Sequence, residues 1–195
     1  MELRSLAVFC GYREGKDPGY LEAAKSLGSA LISRDVALVY GGGAFGMMGA
    51  LADTVLAGGG KVVGVIPKFL LERGQGHPGI TEMLVVDTLH ERKARMAEIA
   101  DGFVVLPGGL GTMDELFEAL TWMQLGVHDK PIALVNTNGY YDPILRFVDR
   151  AHTQDFMTSE DRDLLLVDGD ADAVLELMRR RVAGVDSEMA RTRLV

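Results

Sequence analysis

The chain has 195 residues, 48% of them hydrophobic, and a formal net charge of −8, so we expect one domain with a sizeable core. The acidic balance argues against a nucleic-acid-binding surface, which would carry a basic stripe, and no stretch approaches the roughly 20 apolar residues that a membrane span needs. The single cysteine, Cys10, excludes an internal disulfide, and the N-terminal apolar run is too short for a signal peptide, so we expect a soluble cytoplasmic protein.

Short apolar runs alternate with segments of helical periodicity along the chain. Strands are predicted at 5–10, 36–40, 61–66, 83–87, 102–106 and 131–136. Helices are predicted near 18–33, 46–58, 88–100, 112–125, 140–153 and 170–182. This alternation predicts an α/β fold with a doubly wound parallel sheet, covered on both faces because its strands have few polar breaks. We assign residues 1–183 to that domain and 184–195 to a flexible tail or interface arm.

The first glycine-rich loop, "VYGGGAFGMMG", lies between a predicted strand and a predicted helix. Gly41, Gly43 and Gly46 satisfy the pattern G-x-G-x-x-G, which suggests a bound dinucleotide. Such a site also needs an acidic residue about 20 positions further on, where the chain has Pro67 and Lys68. A lysine at this position can bind a 2'-phosphate, so Lys68 keeps NADP as a candidate ligand. The alternative is that these glycines only permit a tight turn and close packing of helix against strand.

The segment "DTLHERKARMAEIA" predicts a helix that begins near Leu89, because Thr88 and Glu91 have the spacing of a capping box. Arg92 and Lys93 then fall near the N-terminus of this helix, where the helix dipole disfavours cations. Two interpretations stay open. The two side chains are solvated at an exposed helix end, or a bound anion compensates them.

The segment "LPGGLGTMDELFEAL" runs from a strand end through glycines into an amphipathic helix. Gly108, Gly109 and Gly111 leave backbone amides unobstructed, so the loop can hold a phosphate without a lysine of its own. We expect Arg92 and Lys93 to supply the positive charge from the neighbouring strand end. Thr112 and Glu115 form a second apparent capping box, which would give Glu115 a structural role.

Together, "PGGLGTMDE", "HERKARM", "VYGGGAFGMMG", "TWMQLG" and "NGYYDPIL" resemble the Lonely Guy (LOG) proteins. These are cytokinin riboside 5'-monophosphate phosphoribohydrolases, often mislabelled in the past as lysine decarboxylases. The resemblance covers residues 5–157. It implies a Rossmann-like fold, a homodimer, and cleavage of the N-glycosidic bond of nucleoside 5'-monophosphates to a free base and ribose 5-phosphate.

The resemblance also implies the residues of the site. Arg92 and Glu115 correspond to the catalytic arginine and glutamate of the family. The substrate-binding residues that it implies are Gly11, Gly42, Gly43, Lys93, Gly108, Gly109, Leu110, Gly111, Thr112, Met113, Asp114 and Thr121. The chain departs from the family at Tyr12, where many relatives have serine, and at Lys68, where many have an acid. These departures bear on which base is preferred, and so on whether the better substrate is AMP or a prenylated AMP.

The chemistry of the cleavage agrees with these roles. Breaking a ribose–base bond passes through an oxocarbenium-like state, which a carboxylate such as Glu115 can stabilise while it orients or deprotonates water. Arg92 stays charged and so cannot act as a general acid, but it can grip phosphate or ribose oxygens.

We expect neither a metal nor another cofactor. The four histidines lack metal-ligand spacing, one cysteine cannot form a thiolate cage, and nothing marks a pyridoxal-bearing lysine. Trp122, Met123 and Leu125 are apolar beyond what one buried helix face needs, so we expect some of them at a dimer interface. The alternative function is a non-catalytic nucleotide-binding or molybdenum-cofactor carrier protein, which need not keep both Arg92 and Glu115.

Overall fold

Seven parallel strands form one sheet in the computed structural model, which describes residues 2–192, with the backbone alone from 185 onward. The strands are β1 (Ser5–Phe9), β2 (Ala37–Tyr40), β3 (Val62–Pro67), β4 (Glu82–Val86), β5 (Gly102–Val105), β6 (Ile132–Val135) and β7 (Leu165–Asp168). Their order is β4-β3-β2-β1-β5-β6-β7, and every neighbouring pair is parallel. The fold class predicted from the alternation of strands and helices is therefore confirmed.

Helices cover both faces of this sheet. They are α1 (Pro18–Ser33), α2 (Gly46–Ala57), α3 (Lys68–Glu72), α4 (Leu89–Ile99), α5 (Leu110–Gln124), α6 (Asp142–Thr153), α7 (Ser159–Arg162) and α8 (Ala171–Thr192), with a 3₁₀ turn at Thr137–Gly139. Successive side chains of a strand point to opposite faces. Accordingly, Leu6 and Val8 pack with α1, α2 and α8, whereas Ala7 and Phe9 pack with α4, α5 and α6.

The predicted elements agree closely with the observed ones, and most ends differ by one or two residues. The prediction missed β7 because its four residues "LLVD" show no clear periodicity. It also missed α3 and α7, which have five and four residues. The final helix continues to Thr192, beyond the predicted end at 182. The expected tail at 184–195 falls mostly on residues whose side chains lie outside the described part, so that domain boundary stays a prediction.

Residues 2–192 contain no helix that combines the length and the apolar character needed to cross a membrane.

The strand order reverses between β1 and β5, which lie side by side at the centre of the sheet. Open α/β sheets bind ligands beyond the carboxyl ends of their strands at such a switch point. Gly11 follows β1 and Gly108 follows β5, and the two loops are joined by a hydrogen bond from Gly11 N to Pro107 O at 3.0 Å. The fold thus brings the loop after β1, which carries Gly11, into contact with the glycine-rich loop after β5.

Candidate functional site

A cavity of about 1210 Å³ lies beyond the carboxyl ends of β1, β2 and β5. Its walls include Arg92 and Glu115, together with residues of the three loops that follow those strands. Of the predicted substrate-binding residues, those that line it are Gly11, Gly43, Gly108, Gly109, Leu110, Gly111 and Thr112. Among the described residues, no group of three or more His, Cys, Asp or Glu side chains is arranged to hold a metal ion.

Helix α5 opens onto this cavity without a side-chain cap. Its N-cap is Gly109, and no side chain bonds the amides of its first turn. The amides of residues 109–112 have no hydrogen-bond acceptor in the part of the chain that the structure describes. Free amides at a helix N-terminus, together with the positive end of the dipole, form a binding site for an anion such as a phosphate.

The glycines of this loop have two different physical roles. A Cβ at Gly108 would lie 2.0 Å from the hydroxyl oxygen of Thr112 and 2.9 Å from Gly11 N, so a side chain there would push the loops apart. A Cβ at Gly109 or Gly111 would meet nothing within 4 Å. At these two positions glycine therefore keeps the space in front of the free amides clear.

The second predicted capping box is wrong. Because α5 begins at Leu110, Thr112 and Glu115 are the third and sixth residues of the helix, and neither is an N-cap. The sequence pattern failed here because the glycines let the helix start two residues before the threonine. Glu115 is instead only 8% exposed and faces the cavity. Glu115 therefore does not cap α5.

Glu115 forms an ion pair with Arg92 inside the cavity. Arg92 Nη2 lies 2.5 Å from Glu115 Oε1, and the two side chains are 14% and 9% exposed. Burial raises the pKa of Glu115 to about 7, although the positive charge of Arg92 opposes this shift. The Nε of Arg92 is buried and has no partner among the described residues. The pair thus places a carboxylate that titrates near neutrality beside an unused hydrogen-bond donor.

Lys93 lies beside this pair but turns away from the cavity. Its ammonium contacts Asp114 at 2.8 Å and Glu118 at 2.9 Å, and its side chain is 6% exposed. Burial alone would lower the pKa of Lys93, but the hydrogen bonds with the two carboxylates outweigh it, so the pKa is raised. The interpretation that both side chains are solvated is wrong, because carboxylates of α5 contact both Arg92 and Lys93. The interpretation that a bound anion compensates them stays a prediction.

The first capping box is confirmed in its main feature. Helix α4 begins at Leu89, and the Thr88 hydroxyl accepts a hydrogen bond from Glu91 N at 3.1 Å. The Glu91 carboxylate, however, accepts from Asp87 N at 2.9 Å rather than from the N-cap amide. This cap fixes the helix start and so the position of Arg92.

Other implied ligand residues lie outside the cavity wall. Met113 packs against the core under α5, and the Thr121 hydroxyl donates to Phe117 O at 2.7 Å. Gly42 has a φ of +75°, and a Cβ there would lie 3.1 Å from Ile66 and from Met83. Asp114 is occupied by Lys93. A direct role for these residues and Lys93 in substrate binding stays a prediction.

The three glycines of the G-x-G-x-x-G pattern do not share one role. Gly41 and Gly43 line the cavity, whereas Gly46 begins α2, and a Cβ there would lie 2.4 Å from the backbone of Tyr12. Lys68, the residue that kept NADP open, lies outside the cavity wall and sits 3.9 Å from Glu72. Its placement gives no support to NADP.

Sequence reasoning missed part of the cavity wall. Arg13, Met48, Arg73, Gln75 and Tyr140 all line it. Residues 73–77 reach the site because Ala44 N donates to Gln75 O at 3.0 Å and His77 N donates to Gly42 O at 2.9 Å. No sequence pattern marks such a contact between loops. Two of these residues had a signal, since Tyr140 belongs to the segment "NGYYDPIL" and Met48 to the segment "VYGGGAFGMMG".

The family model described as "Possible lysine decarboxylase" matches residues 48–178. Among similar proteins, the cytokinin riboside 5'-monophosphate phosphoribohydrolase LOG3 of Arabidopsis thaliana is 44% identical over 85% of this chain and 77% of its own length. The cytokinin riboside 5'-monophosphate phosphoribohydrolase LOG of Oryza sativa subsp. japonica is 45% identical over 84% of this chain and 67% of its own length.

Solved structures with the same fold include two molybdenum cofactor proteins. The molybdenum cofactor binding protein of Rippkaea orientalis has a TM-score of 0.71 at 19% identity, over 93% of this chain and 99% of its own. The molybdenum cofactor carrier protein of Chlamydomonas reinhardtii has a TM-score of 0.69 at 19% identity, with the same coverage. These likenesses establish the fold alone. The sequence relatives go further, and the chain belongs to the LOG family of cytokinin riboside 5'-monophosphate phosphoribohydrolases.

Proposed function

We propose that this chain hydrolyses the N-glycosidic bond of nucleoside 5'-monophosphates, releasing a free base and ribose 5-phosphate. The substrate class is AMP and its N6-prenylated forms, the latter suggested by the names of the relatives. The observation that carries the proposal is the buried pair of Arg92 and Glu115, which lines the same cavity as the uncapped N-terminus of α5.

The 5'-phosphate binds at the uncapped end of α5. The free amides of residues 109–112 and the helix dipole supply the attraction. The loop has no lysine of its own, and Lys93 is held by Asp114 and Glu118. The opening to the cavity also carries the exposed guanidinium group of Arg13, which can add positive charge at the surface.

Glu115 acts on the ribose. When the glycosidic bond breaks, its electron pair leaves with the base, and positive charge develops at C1'. An ionised Glu115 stabilises that charge and accepts a proton from the attacking water, whose oxygen bonds to C1'. The departing base takes up one proton from solvent, and Glu115 then returns the proton it accepted from water to solvent, so that atoms and charge balance. A pKa of about 7 for Glu115 suits a group that must accept and release a proton near neutral pH.

Arg92 holds the reacting groups in place. A guanidinium group stays protonated, so it orients and does not transfer protons. Its bond to Glu115 fixes the carboxylate, and its guanidinium group, which lines the cavity, donates to a ribose or phosphate oxygen. Fixing the sugar against the carboxylate lowers the entropic cost of reaching the transition state.

The proposal is tested by incubating the purified protein with AMP, N6-isopentenyl-AMP and adenosine, and separating the products by chromatography. Free adenine and ribose 5-phosphate are expected from AMP, with much slower release from adenosine because it lacks the phosphate. Equal rates with adenosine and AMP would refute phosphate-assisted cleavage. Binding of both nucleotides without release of base would favour the carrier-type alternative.

We also propose that the protein is a cytoplasmic homodimer. Leu125, at the end of α5, is 72% exposed, and Phe147 of α6 is 60% exposed. Trp122 and Met123 are half-buried, which leaves part of their apolar surface for a partner. A contact of roughly 800 Å² per protomer would be ordinary for a stable dimer. Light scattering that gives a monomer mass at all concentrations would refute the dimer without affecting the chemistry.

The buried, unpaired Cys10 is consistent with a reducing compartment.

A further inference from the structure

Four successive carbonyl groups in the loop between β5 and α5 each accept a hydrogen bond. The pairs are Tyr141 Oη to Leu106 O (2.7 Å), Gly11 N to Pro107 O (3.0 Å), Tyr140 Oη to Gly108 O (2.6 Å) and Met113 N to Gly109 O (3.1 Å). Two of the donors are hydroxyl groups of adjacent tyrosines. The orientation of this loop therefore depends in part on two residues that lie 32 and 35 positions after their acceptors in the chain.

Each of these bonds also fixes an amide. A trans peptide is planar, with its C=O and the following N–H pointing in opposite directions. Holding the Gly108 carbonyl at Tyr140 therefore directs the Gly109 amide away from Tyr140. In the same way, the bond from Met113 N to Gly109 O directs the Leu110 amide. These two amides begin the row that has no acceptor within the described residues.

The peptide between Gly108 and Gly109 has glycine on both sides. Glycine has access to both signs of φ, so a peptide flanked by two glycines can rotate with little steric resistance. A Cβ at position 109 would meet nothing within 4 Å, and among the described residues the one hydrogen bond at this residue is the bond from Met113 N to its carbonyl. Within the described chain, the Tyr140 hydroxyl is the one hydrogen-bond donor to the Gly108 carbonyl.

Tyr140 is itself firmly held. Its ring packs edge-on against Tyr20 and Tyr141, with centroid distances of 5.3 and 4.9 Å. The backbone of Tyr141 donates to Asn136 Oδ1 at 2.8 Å, and Asn138 donates to Asp17 at 2.8 Å. Contacts with two other tyrosine rings thus restrict the positions that the Tyr140 hydroxyl can take.

We propose that Tyr140 is a positioning residue of the reaction, whose hydroxyl orients the Gly108–Gly109 peptide so that the Gly109 amide binds the 5'-phosphate. The inference rests on the proposed function to the extent that a phosphate monoester is taken as the ligand of this loop. Tyr140 acts through the loop and does not touch the reacting atoms.

The test is titration calorimetry of Tyr140→Phe with ribose 5-phosphate, which carries the phosphate but no bond to be cleaved. The substitution keeps the ring and its stacking, so the variant should fold, and a thermal unfolding curve checks this. The Kd for ribose 5-phosphate should rise about three- to tenfold, the effect of one hydrogen bond. The Kd for free adenine should stay unchanged, and kcat/KM should fall for AMP but not for adenosine.

The matched control is Tyr40→Phe. The hydroxyl of Tyr40 is buried, has no partner among the described residues and lies outside the cavity wall, so its loss should leave both Kd values unchanged. An unchanged Kd for ribose 5-phosphate in Tyr140→Phe, an equal loss for adenine, or no binding of ribose 5-phosphate by the unmodified protein would overturn the inference. An unmodified protein that binds ribose 5-phosphate but does not cleave AMP would refute the proposed function alone.

Discussion

The guanidinium of Arg92 and the carboxylate of Glu115 lie 2.5 Å apart although the two residues are separated by 22 others in the chain. They come from the first half of α4 and of α5, two helices on the same face of the sheet. Breaking either member of a buried pair leaves the other without a partner. The pair therefore affects both the stability of the fold and the reaction. Variants of Arg92 and Glu115 measure these two effects separately.

Glu115→Gln tests the chemical consequence. The amide keeps the size of the side chain and can still bond Arg92, but it can neither stabilise an oxocarbenium by charge nor accept a proton from water. Turnover of AMP should fall by about 10² to 10⁴, whereas the Kd for AMP should change little. Single-turnover kinetics with a binding titration measure both. A glutamine variant that turns over AMP at the normal rate would remove Glu115 from the mechanism.

The pH profile gives a second, independent prediction. Burial raises the pKa of Glu115 to about 7, and the group must be ionised to accept a proton. In the free enzyme, kcat/KM for AMP should therefore be constant above about pH 8 and fall as the pH drops below 7. Initial rates between pH 5 and 9 measure this. A profile that is flat down to pH 5 would contradict the assignment of Glu115 as the base.

Arg92→Lys and Arg92→Ala separate charge from geometry. Alanine leaves Glu115 buried without its cation, which removes the influence that opposes the rise of its pKa, so the acid limb of the profile should move to higher pH. Lysine keeps the charge but loses the planar fork, so the limb should move less, while kcat/KM still falls. An acid limb at the same pH in Arg92→Ala would show that the two side chains are not electrostatically coupled.

The fold was predictable because the alternation of apolar strands with segments of helical period is repeated along the chain. Each buried strand, such as "VVGVIP", lacks polar breaks, and each is followed by a segment of helical period, so small errors in one element do not change the architecture. Strand β7, "LLVD", was missed although β2, β5 and β6 also have four residues. Its position depends on pairing with β6, a long-range contact that no local rule describes.

The sequence predicted Arg92, Glu115 and seven other residues that line the cavity, but it did not predict their contacts. The same spacing of threonine and glutamate gave a true N-cap at Thr88 and a false one at Thr112, because only the packing of the glycine loop decides where α5 begins. The partners of Lys93 were also hidden. Asp114 and Glu118 lie 21 and 25 positions away in the chain, so their contact with Lys93 exists only after the sheet has formed.

Lys93→Met should destabilise the protein through this lost contact. The substitution leaves Asp114 and Glu118 without their cation, but Asp114 is 64% exposed, so water compensates part of the loss. The free energy of unfolding should fall by about 1 to 3 kcal/mol, measured by urea denaturation. Lys25→Met is the matched control, because the pair of Lys25 with Glu22 is largely exposed, and its loss should cost less than about 1 kcal/mol. Equal losses in both variants would show that burial of Lys93 adds nothing.

The stability of Glu115→Gln should depend on pH in a direction that the structure fixes. Because folding raises the pKa of Glu115 from 4.5 to about 7, the folded state binds its proton more tightly than the unfolded state does. The stability that this group contributes is therefore fully present below pH 4.5 and is lost as the pH rises through 7. Glutamine has no such titration.

The melting temperature of the variant minus that of the unmodified protein should increase between pH 5 and pH 8.5, while the contributions of all other groups cancel in the difference. Calorimetric scans at five pH values measure it. A difference that stays constant or decreases would mean that Arg92 stabilises the ionised carboxylate at least as much as burial destabilises it.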